Sequence, residues 1–532
     1  MFKFLEKAPL YPFLIAIYPV LYFLSENINE VSPLAGLRSG LIMLFLCSLA
    51  YFFSFILARN GQKAGMIALM IILFFFLIFF VLYAPASRWL RGVELFGSVL
   101  GRPRYFIPAT LIILLLVAVF TALILRKANA SALNSLSLAA NFFAVILIVI
   151  PIIRMLSHSI SNVQHTQSGF KNLPAVAPAM NAYKGNRPDI YYIILDMYTS
   201  DNVMGELMDV KDFGFTDELR EKGFYVAECS RSNYSKTYYS ITSSLNLDYI
   251  QNLSAFNDTA SIYPFMQQNL VTRSLKQVGY EIYAFESGYS FTELKEADHF
   301  LRPMSSTKDI LFYPGVSPFE SMILQTSAGT ILYEYREQIS KKLQYLIDSP
   351  YVQHRDRIVY ALENIPQLAE EPGPKFVFAH ILAPHDPFVF EENGDPVVRH
   401  SAFSLNNDPE GYNWESYIVA YNKEVKYLNQ ATLTLVDEII ANSETPPVII
   451  IQGDHGLMRA RGNNAHFDIY NAYYFDDISL DGLYSTISPA NSFRIVFNNL
   501  FGSNYPLLPD QAYDVSPEDN SFVENVNLFH CP

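Results

Sequence analysis

Val448-Ile449-Ile450-Ile451-Gln452-Gly453-Asp454-His455-Gly456 is an apolar run that breaks off at a carboxylate and an imidazole. A run of β-branched residues with no polar alternation is the pattern of a strand buried on both faces, as in a parallel sheet. It ends abruptly in Gly-Asp-His-Gly, which puts a carboxylate and an imidazole at a strand's carboxyl end, between glycines that permit a sharp turn. In open α/β sheets that edge is where ligands bind, and Asp beside His is a plausible half of a divalent-metal site. A buried ion pair or a simple turn would have the same local sequence.

The same pattern recurs upstream. Pro188-Asp189-Ile190-Tyr191-Tyr192-Ile193-Ile194-Leu195-Asp196 is a second apolar run closed by a carboxylate, and 279–285 and 375–381 repeat it with polar residues just beyond. Between them, 355–364 and 414–442 read as helices; in the latter Tyr417, Tyr421, Val425, Leu428, Leu435 and Ile439 keep a spacing near 3.6. Alternating strands and helices predict an α/β fold, a mainly parallel sheet with helices on both faces and its active edge at the strand carboxyl ends.

At 532 residues the chain is too long for one core. Five apolar segments, 10–24, 41–57, 65–83, 105–125 and 136–153, predict an all-α transmembrane domain over 1–155. The first is short and carries Pro12 and Pro19, so a cleaved signal peptide is its alternative. Lys and Arg are equally shared between the two sides of such a bundle, so the positive-inside rule does not orient it. Residues 156–186 read as a linker, 187–503 as the catalytic domain and 504–532 as an acidic, Pro-rich tail of weak pattern. A formal net charge of −14 argues against a nucleic-acid partner, which needs a basic stripe to neutralise phosphates. Of three cysteines, Cys47 lies in an apolar segment, while Cys229 and Cys531 can pair only if the fold brings them together.

Four sites converge on the predicted edge: Asp196; His380 and His385 after the 375–381 strand; Asp454 with His455; and Ser232-Asn233-Tyr234-Ser235-Lys236-Thr237-Tyr238-Tyr239-Ser240, which leads into a short helix. A hydroxyl at a helix's first turn lies beside backbone N–H groups and the positive end of the dipole, and a divalent cation would acidify it further. The same N–H groups suit a phosphate.

Strand–Asp, hydroxyl, His-x-Pro and Asp-His-Gly, in this order, resemble the alkaline-phosphatase superfamily, specifically its sulfatase-like, membrane-anchored branch of lipoteichoic-acid-synthase-type and phosphoethanolamine-transferase-type enzymes. The likeness of layout covers roughly 187–503. It implies Asp196, Thr237, Asp454 and His455 as metal ligands, Thr237 also as covalent nucleophile with Ser235 and Ser240 as rivals, and His385 as a contact to the transferred group or leaving group. His380 and His466 are further candidates for substrate contact or a second metal. A histidine among oxygen ligands favours zinc or manganese, with calcium or magnesium as alternatives. The implied protein is a membrane-anchored phosphotransferase or phosphodiesterase on a bacterial cytoplasmic membrane, its catalytic domain facing outward. Its substrate would be a lipid head group or an envelope polymer.

Two alternatives stand beside it. One is a sulfatase, but Cys229-Ser230-Arg231-Ser232-Asn233 lacks the proline that formylglycine formation needs, so Cys229 reads instead as a small buried residue. The other is a non-catalytic membrane sensor or assembly protein.

Overall fold

The computed structural model describes the chain except for residues 1–5, 29–30, 32, most of 78–126, 178–184, 186, 209–213, 255–258, 304–314, 399–402, 406–412, 459–463, 476–481, 517–520 and 526–532. The chain divides into two compact units, 1–160 with 307–352 and 398–411, and 161–306 with 353–397 and 412–532.

The first unit contains α1 (Tyr11–Glu26), α2 (Ala35–Ala58), α3 (Gly61–Leu77) and most of α4 (Ala130–Lys171). Among the described residues two helices, Ala35–Ala58 and Ala130–Ile160, are long and apolar enough to cross a membrane, where the sequence predicts five spans. Helix α1 has 16 residues, about 24 Å of rise against a hydrocarbon core of about 30 Å. The expected span 105–125 falls largely outside the described residues, and 65–83 does so in part. The long helices present large apolar side chains outward, with Phe53 60% and Phe142 67% exposed, a distribution that water disfavours and lipid accepts. Helix α1 has no cap of its own. The Asn141 side chain accepts from the backbone N–H groups of Leu10 and Tyr11 instead, at 3.0 and 2.8 Å, satisfying donors that apolar surroundings would leave unpaired.

A later stretch joins this unit. The helix Pro318–Gln325 starts in a capping box between Ser317 and Glu320, and its Phe319 and Ile323 pack with Val20, Phe23, Leu24 and Met43. Glu320 is paired with Arg38, which also donates to the Gly315 carbonyl at 2.8 Å.

The second unit is built on a seven-stranded sheet. Its strands are β1 (Ile190–Leu195), β2 (Tyr225–Val226), β3 (Glu281–Phe285), β4 (His299–Leu301), β5 (Lys375–Ile381), β6 (Val448–Gly453) and β7 (Asn471–Phe475), in the order β2-β7-β6-β1-β5-β3-β4. The run from β6 to β4 is parallel, while β7 pairs antiparallel with β6 and β2 antiparallel with β7. Every residue of β1, β5 and β6 is buried, so both faces are covered, as the unbroken apolar runs require. One face carries a core that includes Tyr192, Ile194, Ile450 and Phe378 together with Tyr239 and Leu245 of α5 (Thr237–Asn246) and Phe493 and Phe497 of α8 (Pro489–Phe501). Helix α6 (Leu270–Gln277) adds Leu270, Val271 and Leu275 to that core. Helix α7 (Trp414–Asn442) buries the six residues of its 3.6-residue stripe. The tail forms a hairpin of β8 (Ala512–Val515) and β9 (Phe522–Asn525).

Register positions the chemistry. Leu195 is level with Gly453 on one side and Ile381 on the other. The residues that follow β1 and β6, Asp196 and Asp454, therefore emerge side by side at the carboxyl edge, with His380 in the adjoining strand.

Candidate metal centre

The turn after β6 depends on its glycines. A Cβ on Gly453 would lie 2.3 Å from the Tyr198 carbonyl oxygen, and one on Gly456 2.1 Å from that of Ala465 and 2.4 Å from that of Asp468. These obstacles are backbone atoms, so no side-chain rotation relieves them. The turn sends Asp454 and His455 back over the sheet edge. Asp454 Oδ1 accepts from the Met197 N–H at 3.0 Å. Met197 has φ +62°, a left-handed conformation that costs a non-glycine residue about 1 kcal/mol or more.

Asp454, Asp196 and His455 are all buried, and their ligand-type atoms lie within 4.8 Å of one another. His455 Nδ1 is 2.9 Å from the Gly456 carbonyl oxygen. That acceptor fixes the proton on Nδ1 and leaves the Nε2 lone pair directed into the cluster, 3.7 Å from Asp196 Oδ1 and 3.6 Å from Asp454 Oδ2. Thr237 Oγ1 lies 3.3 Å from the same nitrogen. Ligands at about 2.0 Å from a tetrahedral ion stand about 3.3 Å apart, so these separations fit a cation at the centre. Asp196 Oδ1 and Asp454 Oδ2 are buried and without a hydrogen-bond partner. Two such oxygens cost several kcal/mol unless a cation offsets them. Two carboxylates, one imidazole and a hydroxyl are a donor set for a divalent ion.

Thr237 occupies the first turn of α5, after Lys236 in an extended conformation. The neighbouring hydroxyls are committed elsewhere: Ser240 donates to the Asp454 carbonyl at 2.7 Å and Ser235 to Asp514 Oδ1 at 3.0 Å. Thr237 is the hydroxyl of its loop that lies beside His455 Nε2.

The other histidines occupy distinct positions. His380 is buried behind Asp196, its Nδ1 2.8 Å from the Thr292 hydroxyl and its Nε2 3.2 Å from Asp196 Oδ2, without hydrogen-bond alignment in the latter contact. Its side chain is 0% exposed. His385 follows β5, and its side chain is 23% exposed; its Nδ1 meets the Asp386 carbonyl at 2.5 Å. Burial pulls the His385 pKa down, but Asp196 and Asp386 outweigh it and hold the imidazole above its ordinary value. Burial would raise the Asp196 carboxyl, yet His385, His380 and His455 together hold it below the usual carboxylate range. His466 is buried, with Nε2 3.4 Å from Asp514 Oδ1 and its backbone oxygen accepting from the Gly456 N–H at 2.9 Å.

Thr292 and Asp514 escape sequence reasoning because neither stands in a recognisable pattern. Cys229 departs from expectation as well: it is disulfide-bonded rather than simply buried, and Cys531 lies outside the described residues. The sequence around it cannot signal this, because pairing depends on approach of distant chain segments.

No protein-family model and no curated protein matches the chain. Among solved structures it is similar to the C-terminal periplasmic domain of EptC from Escherichia coli, at 14% identity and TM-score 0.41 over 67% of this chain and 97% of that one. It is similar also to lipooligosaccharide phosphoethanolamine transferase A of Neisseria meningitidis, an integral membrane protein, at 11% identity and TM-score 0.35 over 89% and 88%. A 2-O GAG sulfatase gives 13% identity and TM-score 0.36 over 60% and 72%. Phosphoethanolamine transferases, sulfatases and an alkaline-phosphatase-superfamily protein from Vibrio parahaemolyticus are thus among the folds this chain resembles.

Proposed function

We propose that the protein is a membrane-anchored, metal-dependent phosphotransferase or phosphodiesterase that works through Thr237 on a lipid head group or cell-envelope polymer. The observation that carries this reading is the cluster itself: a helix-start hydroxyl 3.3 Å from an imidazole nitrogen directed into two buried, unsatisfied carboxylate oxygens. Asp196, Asp454, His455 and Thr237 would hold the ion, and zinc or manganese suits their mixture of oxygen and nitrogen. When bound, the ion supplies Lewis acidity toward a phosphoryl oxygen and favours the Thr237 alkoxide.

The chain's own residues do the rest. The Thr237 oxygen attacks phosphorus, the ester P–O bond breaks, and phosphothreonine and an alcohol result. The carboxylates beside His385 hold its pKa above the ordinary value, which suits it to give the departing oxygen its proton. In the second half His385, now neutral, takes the proton of an acceptor hydroxyl, of water or another alcohol, whose oxygen attacks the phosphothreonine and returns the Thr237 alkoxide. His380, whose Nδ1 meets the Thr292 hydroxyl, lies against the Asp196 carboxylate from behind.

Anchoring supports the substrate class, because confinement at a bilayer raises the effective concentration toward a lipid-borne group. The Cys229 disulfide supports placing the second unit outside the cytoplasm, where such bonds persist. It also weighs against the sulfatase alternative, since a disulfide-bonded sulfur is not available for conversion to formylglycine. A non-catalytic protein has no physical need for two buried, unsatisfied carboxylates beside a correctly oriented imidazole.

Elemental analysis of the full-length protein in detergent tests the reading. About one zinc or manganese per chain is expected in the wild type and none in Asp454→Ala, together with turnover of phosphate esters by the wild type alone. Metal-free wild type would refute it.

A further inference from the structure

The acidic tail reads as patternless in sequence, yet its hairpin grips the segment that carries Thr237 from both sides. Before Thr237, the Tyr513 N–H donates to the Asn233 carbonyl at 2.8 Å, and Asn233 Nδ2 donates to the Gln511 carbonyl at 2.8 Å. The Tyr513 ring stacks on Tyr234, centroids 5.7 Å apart. After Thr237, Phe522 of β9 meets Tyr239 edge-on at 5.0 Å, and it also meets Tyr234, before Thr237, at 5.3 Å. The remaining link is Asp514. Its Oδ1 accepts from the Ser235 hydroxyl at 3.0 Å and lies 3.4 Å from His466 Nε2, while Oδ2 accepts from Asn525 Nδ2 at 3.2 Å.

We propose that the C-terminal hairpin is a positioning element of the active site, and that Asp514 sets the Thr237 loop and His466 in place together. The proposal rests on the reading of Thr237 as nucleophile. His466 Nδ1 is buried without a hydrogen-bond partner, while its backbone oxygen ties its loop to Gly456, next to His455. One carboxylate oxygen therefore joins the loop before the nucleophile to the loop braced on the Asp-His-Gly turn. Asp514 is 42% exposed, so its pairing with His466 adds little net energy. Its contribution is geometric: it limits the freedom of two groups that must meet one substrate. A sequence with no local signal at Asp514 is what this arrangement predicts, because the residue acts only through partners distant in the chain.

The test uses full-length protein in detergent, loaded with zinc, and bis(4-nitrophenyl) phosphate as probe. Asp514→Ala is expected to lower kcat about 10- to 100-fold with KM within about twofold. Asp514→Asn, which keeps an acceptor oxygen, is expected to recover most of that loss, and Val523→Ala on the exposed side of β9 to match the wild type. Amide exchange of the peptide 230–240 in Asp514→Ala is expected to quicken about tenfold, with 448–456 unchanged. Wild-type kcat in Asp514→Ala overturns the proposal, as does quickened exchange in both peptides, which would mean general loosening. If the wild type turns over no phosphodiester, the functional reading fails, and exchange alone decides the hairpin's role. Quickening confined to 230–240 then supports the brace, and unchanged exchange overturns it.

Discussion

Thr237 stands out among the hydroxyls around it because of what its neighbours do. Ser235 and Ser240 lie in the same stretch, and each has a hydrogen bond that directs its oxygen elsewhere. Thr237→Ala is therefore expected to lower turnover at least about a thousandfold while metal content stays at the wild-type level, measured on the same preparations. Full activity in that variant would remove Thr237 from the mechanism. A second residue-level prediction concerns Asp510, whose carboxyl is pushed up by burial against the opposing effect of hydrogen bonds from Ser488 and Tyr484. A raised folded-state value means that the native protein holds this proton more tightly than the unfolded chain. The stability this confers is complete below the unfolded carboxyl range, near pH 4, and is lost as pH rises through the folded value. Asp510→Asn keeps the shape without the charge, so its melting temperature relative to wild type should rise between pH 4 and 7. A difference that is flat or falls with pH would show that the carboxyl is not raised.

At the scale of the element, the turn joining β6 to the site is more demanding than the strand. Gly456→Ala is expected to cost more than about 3 kcal/mol and to lose the metal, because a methyl there overlaps the backbone of Ala465 and Asp468. Gly373→Ala meets open space but has φ +86°, so about 1 kcal/mol of backbone strain is its whole expected cost. Chemical denaturation of both variants checks the contrast, and equal losses would mean that the crowding at Gly456 relaxes. The strands themselves were legible: four of the five parallel members announce themselves as apolar runs. Strand β7 did not, since Asn471-Ala472-Tyr473-Tyr474-Phe475 lacks β-branched residues and owes its extended form to antiparallel pairing with β6. Strands β2 and β4, two and three residues long, are too short to have a period at all.

The whole molecule combines a lipid-suited unit with an acidic α/β unit. Outward-facing phenylalanines and leucines on α2 and α4 predict that the full chain stays in the membrane fraction after an alkaline carbonate wash; release into the supernatant would show that these helices are not spans. The segment 307–352 lies within the sequence assigned to the α/β unit but packs in the first unit. Its helix is held there by the burial of Phe319 and Ile323 and by the Arg38 and Glu320 pair, contacts between residues nearly three hundred positions apart.

The strands that lead to Asp196 and Asp454, the helices between them, the apolar character of the amino-terminal region and the positions of the candidate ligands are all legible in the amino-acid sequence. These are local properties: an apolar run, a period, or a glycine pair beside a carboxylate is visible within ten residues. Tertiary structure alone decided which hydroxyl lies beside His455, that His380 lies behind Asp196, that Cys229 is disulfide-bonded, and that the tail packs on the loop carrying Thr237. Each of these depends on strand register or on side chains that meet across long stretches of chain, and no local pattern encodes such a meeting.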